Sequence, residues 1–548
     1  MSNIIKNIFF SFLSKVFLKE KINEKDKIKF KRKNLIVNRA VDKEKANKKN
    51  AILQSIKRLE MNEITDYNRK ILQNKKINYE NLLSEEQKRA LTSINGQFLV
   101  IAGAGSGKTR TIVYRTSLLL ELGVKPEEIL MITFTRKAAL EMKKRVEELL
   151  EMKMKTLDIS TFHSFCARQI INQKDYFNVD KLKIFEEKAK LIKIKELSMK
   201  YNIKKIKKIP FPSVKRFCSL FDYERLYDGS ILEVLNEKEK FYSDEILQVR
   251  NAFFAYKKEM HIFEFDDLLN IFINGLEKNE NFKKIIQDRY KYIIVDEYQD
   301  SNLQQRRLLN NLVGDNGNLM VVGDDYQSIY GFRGANFENI LRFSDDFSKS
   351  KLIKLETNYR STNEIIAYSN RISSKFLISY SKIAKGIGKK GSKPQIFSFK
   401  TKEKEAIYVV KKIKELLDLG ISSGEIAILF RNRFVIIHIL KELKKNNIPF
   451  YLKENDEGEK ETEMADGIER VSIISVHSSK GLEWEYVFIP VLLEGIFPAE
   501  NNEKILEEEK RLYYVGCSRA KKLLFLTYPE FFYEKIGYFC NKSRFLDY

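Results

Sequence analysis

Residues 98–109 read FLVIAGAGSGKT, and this stretch decides the fold class. The apolar run Phe98–Ala102 has the length of a strand, and glycines at 103, 105 and 107 follow it directly. Glycine lets the backbone N–H groups of a tight loop turn inward around phosphate oxygens. Lys108 then reaches the β- and γ-phosphates, and the Thr109 hydroxyl is placed to hold Mg²⁺. A helix begins there, and its N-terminus adds favourable potential for an anion. The general pattern has Gly where this chain has Ala102, a mild departure. The expected phosphate cradle is Ala102, Gly103, Ala104, Gly105, Ser106, Gly107, Lys108 and Thr109. On its own the loop implies a nucleoside triphosphate and nothing narrower.

Outward from that loop, apolar runs of strand length alternate with helical patterns from Leu82 onward, the signature of parallel α/β lobes. The predicted strands are Phe98–Ala102, Ile129–Thr133, Tyr292–Val295, Leu319–Val322, Ile426–Phe430, Val487–Val491 and Leu523–Thr527. Residues 171–264 break the rhythm with a Lys-, Phe- and Tyr-rich helical texture and read as an inserted subdomain. The expected division is a first lobe at 81–170 and 265–346, the insertion between, and a second lobe at 347–548. Within the second lobe the acidic stretch 453–469 lacks core positions and reads as a linker. KYIIVDEYQD (Lys291–Asp300) places Asp296 and Glu297 at the C-terminal end of a buried strand, where open α/β sheets put ligands. Asp296 is the expected Mg²⁺-side carboxylate, and Glu297 the base that orients and deprotonates an attacking water.

The chain of 548 residues has 43% hydrophobic and 32% charged residues, a globular rather than a disordered composition. Its formal net charge of +24 points to a polyanionic partner, although a Lys-, Ile- and Asn-rich composition supplies part of that excess. Residues 1–80 carry 21 Lys/Arg and 9 Asp/Glu with no Gly or Pro, and read as a basic helical N-terminal extension. Those cations suit DNA binding or a solvated surface equally. Cys166, Cys218, Cys517 and Cys540 have no paired spacing, which argues against a zinc site or disulfide framework and fits a reducing cytoplasm. The apolar stretch between Ile4 and Leu18 is interrupted by Lys6 and Lys15 and is too short to span a bilayer. It reads as an amphipathic helix docked on the body. No other segment reads as a membrane span.

With these residues in place, the chain resembles the UvrD/Rep family of superfamily 1A helicases, in motif order from Leu82 to about Thr527. LLSEEQKRAL resembles the family's Q motif, which implies that Gln87 reads the adenine edge. ITFTRKAALEM (Ile132–Met142) and STFHSF (Ser160–Phe165) resemble its DNA-contacting motifs, and FEFDDLL (Phe263–Leu269) the short motif ahead of the carboxylate pair. MVVGDDYQSIYGFRGA (Met320–Ala335) resembles motif III, with Gln327 sensing the γ-phosphate. LETNYRS (Leu355–Ser361) resembles motif IV, with Tyr359 near adenine and Arg360 at the γ-phosphate. VSIISVHSSKGLEWEYVFIP (Val471–Pro490) and EEEKRLYYVGCSRAKKLL (Glu507–Leu524) resemble motifs V and VI, with Arg519 as a second arginine finger. Arg110 and Glu483 join the nucleotide contacts by the same resemblance. Phe134, His163, Tyr330, Phe332, Arg333 and His477 fall in motifs that contact single-stranded DNA in the family.

The resemblance implies an α/β fold of two RecA-like P-loop lobes, each a parallel sheet flanked by helices. It implies an ATP hydrolase with Mg²⁺ acting as a 3′→5′ helicase on single-stranded and tailed duplex DNA, in repair or recombination. Larger relatives insert a subdomain, 2B, after residues like Ile448–Tyr451, and here only the linker separates these from Val471. The layout is similar to helicase IV-type members, which lack 2B and carry an N-terminal extension. The alternative expectation is a translocase that displaces or remodels protein complexes, for example on RNA polymerase, with residues 1–80 contacting the protein partner.

Overall fold

The computed structural model describes residues 46–548 except 180, 203–208, 228, 315–316, 332–333, 454–468, 501 and 535–536. The docked helix expected near residues 4–18, most of the acidic linker, Phe332 and Arg333 therefore lie outside the described residues.

Two six-stranded sheets carry the fold, and every pairing within them is parallel. The first runs Asp158–Thr161, Ile129–Thr133, Tyr292–Val295, Asn318–Gly323, Gln97–Ala102, Lys351–Leu355. The second runs Gln395–Phe399, Ala520–Pro529, Trp484–Ile489, Ile426–Phe430, Val471–Ser475, Phe450–Leu452. Central strands such as QFLVIA and IAILF are buried along their whole length, because helices cover both sheet faces. That double cover is why they read as continuous apolar runs rather than as alternation. All seven predicted strands are present, three lengthened at one or both ends, while the one expected at Val487–Val491 is displaced to Trp484–Ile489.

The lobe boundaries differ from the expected ones in three places. Lys351–Leu355 pairs with Gln97–Ala102, so the first sheet extends beyond residue 346. The insertion begins later than 171, because Ile170 and Phe177 pack into the first lobe's core. Its neck is the two-stranded pairing of Lys183–Ile184 with Ile262–Phe263, and its own core gathers Phe217, Phe221, Val249 and Phe253. Finally, residues 46–80 are not a detached arm. A helix over residues 46–60 buries Ile52, Ile56 and Leu59 in the first lobe's core, and Ile64 N–H donates to the Leu352 carbonyl at 2.8 Å. Leu72, Ile77 and Tyr79 enter the core on the sheet's other face.

Among the described residues, no helix is long and apolar enough to cross a membrane.

Candidate nucleotide site and nucleic-acid face

The first sheet's C-terminal edge assembles the nucleotide site. Gly105 and Gly107 have φ of +71° and +82°, a left-handed backbone open to glycine at little cost. A Cβ at Gly105 would lie 2.7 Å from the Arg360 Cβ, and one at Gly107 would lie 2.8 Å from the Gln87 amide nitrogen. Both glycines are thus required twice, by conformation and by close approach. The helix Lys108–Glu121 starts at the loop, and its buried Arg115 donates to the carbonyls of Ala90, Leu91 and Ile94 at 2.8, 3.1 and 3.1 Å. Those bonds fix the helix Glu85–Thr92, which presents Gln87 to the loop. The Gln87 side chain donates to the Ser106 carbonyl at 3.3 Å and accepts from Ser84 N–H at 3.2 Å. Arg110 donates to the Leu82 carbonyl at 2.9 Å, tying the same segment down from the other side.

Asp296 and Glu297 follow the strand Tyr292–Val295. Glu297 has a φ of +50°, a strained backbone for a residue with a side chain. Its carboxylate lies 3.4 Å from the Lys108 ammonium and 4.0 Å from that of Lys480. Burial alone would raise the Glu297 pKa, and these two cations overcome it and hold the group ionised. Asp296 moves the other way, raised by burial and by the Glu297 charge beside it. Its Oδ1 is buried without a hydrogen-bond partner. Buried carboxylate oxygens are normally satisfied, and a divalent cation would satisfy this one. Asp296 therefore fits a divalent cation.

The second lobe reaches this edge directly. The Asn358 side chain donates to the Ala104 carbonyl at 2.8 Å, and Tyr359 N–H donates to the Gly105 carbonyl at 3.0 Å. Arg360 pairs with Glu483 at 2.5 Å and donates to the Ser518 carbonyl at 3.1 Å. Glu483 also pairs with Lys521 at 3.2 Å, so it sits as a carboxylate between two cations. Arg519 is 1% exposed and donates to the Gln327 side-chain oxygen at 3.0 Å. Burial and the neighbouring Arg360 push its pKa down to about 9. Gln327 in turn donates to Asp324 at 2.5 Å. Of the residues expected from the sequence, Lys108 thus stands against Glu297, Arg519 against Gln327, and Arg360 with its Cβ at Gly105 and its guanidinium turned to Glu483 and Ser518.

Comparison with known proteins agrees with this geometry. Residues 83–348 match the model of the UvrD/REP helicase N-terminal domain, and residues 353–457 and 452–530 match that of the UvrD-like helicase C-terminal domain. The chain belongs to the UvrD/Rep helicase family. It is similar to the "ATP-dependent DNA helicase PcrA" of Staphylococcus epidermidis strain RP62A, 32% identical over 492 residues, covering 85% of this chain and 64% of that protein. The protein of the same name from Staphylococcus aureus strain Mu50 is 30% identical over 492 residues with the same coverage. The chain thus spans about 64% of the length of these relatives.

Of the residues expected at DNA, Phe134, Tyr330 and His477 are brought together in this UvrD/Rep-family structure, and His163 stands with other partners. The Phe134 and Tyr330 rings are nearly parallel, at 7°, with centroids 6.3 Å apart. That spacing approaches twice the ~3.4 Å rise between stacked bases. Phe134 is 40% exposed, so the pair is open to solvent. The Tyr330 hydroxyl donates to the His477 carbonyl at 3.5 Å. His163 has its Nε2 3.1 Å from an Asp266 carboxylate oxygen and its ring edge-on to Phe265.

Lys480, Lys382 and Asn358 had no reading in the sequence beyond lying in or near motifs. Lys480 pairs with Asp300, donates to the Gln327 carbonyl at 2.8 Å and stands 5.0 Å over the Tyr330 ring. It joins the carboxylate strand end, the sensor and the aromatic face in one contact set. Lys382 is buried between Asp324 and Asp325, 2.5 Å from each, and lies 3.7 Å over the Tyr326 ring. Only the fold brings these lysines to carboxylates more than 50 positions away in the chain.

Proposed function

We propose that this chain is an ATP-driven motor that moves on single-stranded DNA in the 3′→5′ direction and unwinds tailed duplexes, in DNA repair or recombination within the cytoplasm. One observation carries the reading: two arginines of the second lobe stand at the first lobe's phosphate-loop edge, Arg360 with its Cβ against Gly105 and Arg519 bonded to the Gln327 side chain. Phosphoryl transfer to water needs charge stabilisation around the γ-phosphate more than covalent help. With a nucleotide bound, Lys108 exchanges Glu297 for phosphate oxygen, which frees Glu297 to orient the attacking water. Thr109 and Asp296 would hold Mg²⁺, which would neutralise charge at the phosphates. Both arginines are useful only while the lobes are closed, so ATP favours closure and hydrolysis removes that preference. Alternating closure, with Phe134 and Tyr330 stacking on bases of any sequence, gives stepping along the strand.

The test is ATP turnover with and without single-stranded DNA, with Lys108→Ala and Glu297→Gln as inactive controls. Absence of stimulation in the wild-type chain refutes the motor. Strand displacement on 3′- and 5′-tailed duplexes then reads the polarity, and unwinding only from a 5′ tail overturns that part alone.

A further inference from the structure

The second lobe's helix Glu503–Cys517, with Arg519 two residues beyond its end, holds one short segment of the first lobe at three points. Arg519 donates to the Gln327 side chain at 3.0 Å, and Arg511 donates through Nε to the Asp325 carbonyl at 3.1 Å. At the far end, Glu508 accepts the Gly331 N–H at 3.2 Å. The three contacts run from the nucleotide end of the segment to the residue next to Tyr330. The contact at Gly331 is close, since a Cβ there would lie 3.0 Å from a Glu508 carboxylate oxygen.

The loop beyond Tyr330 turns back on itself, with Gly334 N–H donating to the Gly331 carbonyl at 3.1 Å and Ala335 N–H to the Tyr330 carbonyl at 3.2 Å. Gly331, Ala335, Phe337, Glu508 and Arg511 are among the residues lining a cavity of about 410 Å³ beside this contact. Beside the ring contacts of Tyr330 with Phe134 and Lys480, the Glu508 bond adds a directional hold on the adjoining Gly331 backbone. Burial and the adjacent Glu509 raise the pKa of Glu508, which accords with a carboxylate held inside this wall.

We propose that Glu508 is a positioning residue for DNA engagement: it holds the Gly331 end of the loop, and hence the Tyr330 ring, to the helix that delivers Arg519. Movement of that helix on nucleotide turnover then moves the aromatic platform with the finger. The proposal rests on the DNA-motor reading and adds a residue that couples its two ends.

The experiment uses the full chain with Glu508→Ala and Glu508→Gln. ATP turnover is titrated with single-stranded oligonucleotide, and the quench of a 2-aminopurine base reports stacking. Alanine removes the acceptor and is expected to raise the half-saturating DNA concentration five- to tenfold, to leave turnover at saturating DNA within about twofold, and to weaken the quench. Glutamine keeps an acceptor oxygen of the same reach and restores both readouts. The proposal is overturned if alanine lowers saturated turnover without moving the DNA half-point, if neither readout moves, or if glutamine behaves like alanine. A wild-type chain that DNA does not stimulate instead defeats the motor reading, which separates the two failures.

Discussion

Glu405 offers a stability test whose sign follows from its surroundings. It lies in the first turn of the helix Lys402–Asp418 and is 1% exposed. Its Oε1 accepts the Thr527 hydroxyl at 2.5 Å and the Val491 N–H at 2.9 Å, and both donors are neutral. Burial raises its pKa from the ordinary 4.5 to about 7, against the lowering effect of those two bonds. The folded state therefore keeps the proton at pH values where the unfolded chain has released it. Stability from this group is fully present below pH 4.5 and is lost as pH rises through about 7. At ~1.4 kcal/mol for each tenfold change in proton affinity, the loss approaches about 3 kcal/mol above pH 8. Glu405→Gln removes the titration and keeps an acceptor oxygen, so the variant should match the wild type near pH 4.5 and exceed it by that amount at pH 8. For a lobe of this size the difference corresponds to roughly 6–12 °C in the unfolding midpoint. Thermal melts of both proteins between pH 4.5 and 8.5, without nucleotide or DNA, give the difference curve directly. A flat difference, or a glutamine variant less stable at pH 8 than at pH 5 relative to the wild type, refutes the argument.

Glu264 presents the opposite electrostatic case. Arg225 and Lys257 reach it at 2.8 and 2.7 Å and Lys190 pairs with it as well, all four residues being buried at the neck of the insertion. Glu264→Ala removes the buried carboxylate these cations share, leaving Lys257 to Asp267 and Arg225 and Lys190 to the more exposed Asp222, and should cost about 3 kcal/mol, read as early protease cleavage within 183–263 while the lobes remain intact. Arg519→Ala should lower DNA-stimulated ATP turnover by about 10³-fold with nucleotide affinity changed far less, because the finger acts on the transferring phosphoryl group. A fall of less than tenfold would remove Arg519 from the chemistry. Truncation separates the N-terminal readings: deleting residues 1–45 removes none of the described packing, whereas deleting 1–80 strips Ile52, Ile56, Leu59 and Tyr79 from the core. The longer deletion should give an insoluble or early-melting protein, and a well-folded 81–548 fragment would contradict that packing.

Much of the catalytic cleft was legible in the amino-acid order because its parts are local. A phosphate loop needs its glycines, Lys108 and Thr109 within eight positions, and a strand-end carboxylate pair needs only neighbours. Doubly covered strands announce themselves as apolar runs, which is why Ile129–Thr133, Tyr292–Val295 and Ile426–Phe430 were found to the residue. Edge strands do not: Gln395–Phe399 has exposed Ile396 and Phe397, and Lys351–Leu355 carries lysines at 351 and 354 within only five residues. The short pairing at Lys183–Ile184 is too brief to leave any periodic signal.

By itself, then, the order of residues determined the local parts, a glycine-rich loop suited to phosphate and a carboxylate pair after a buried strand, and the family resemblance added the expectation of two arginines at the cleft. Tertiary structure decided the pairings that turn parts into a device. It set Lys480 among Asp300, Gln327 and Tyr330, buried Lys382 between two aspartates, closed the insertion at 183 and 263, and built residues 46–64 into the first lobe. The physical reason is range. Backbone conformation and apolar periodicity are encoded over a few residues, whereas a buried charge finds its partner only where distant segments are packed together and water has been excluded.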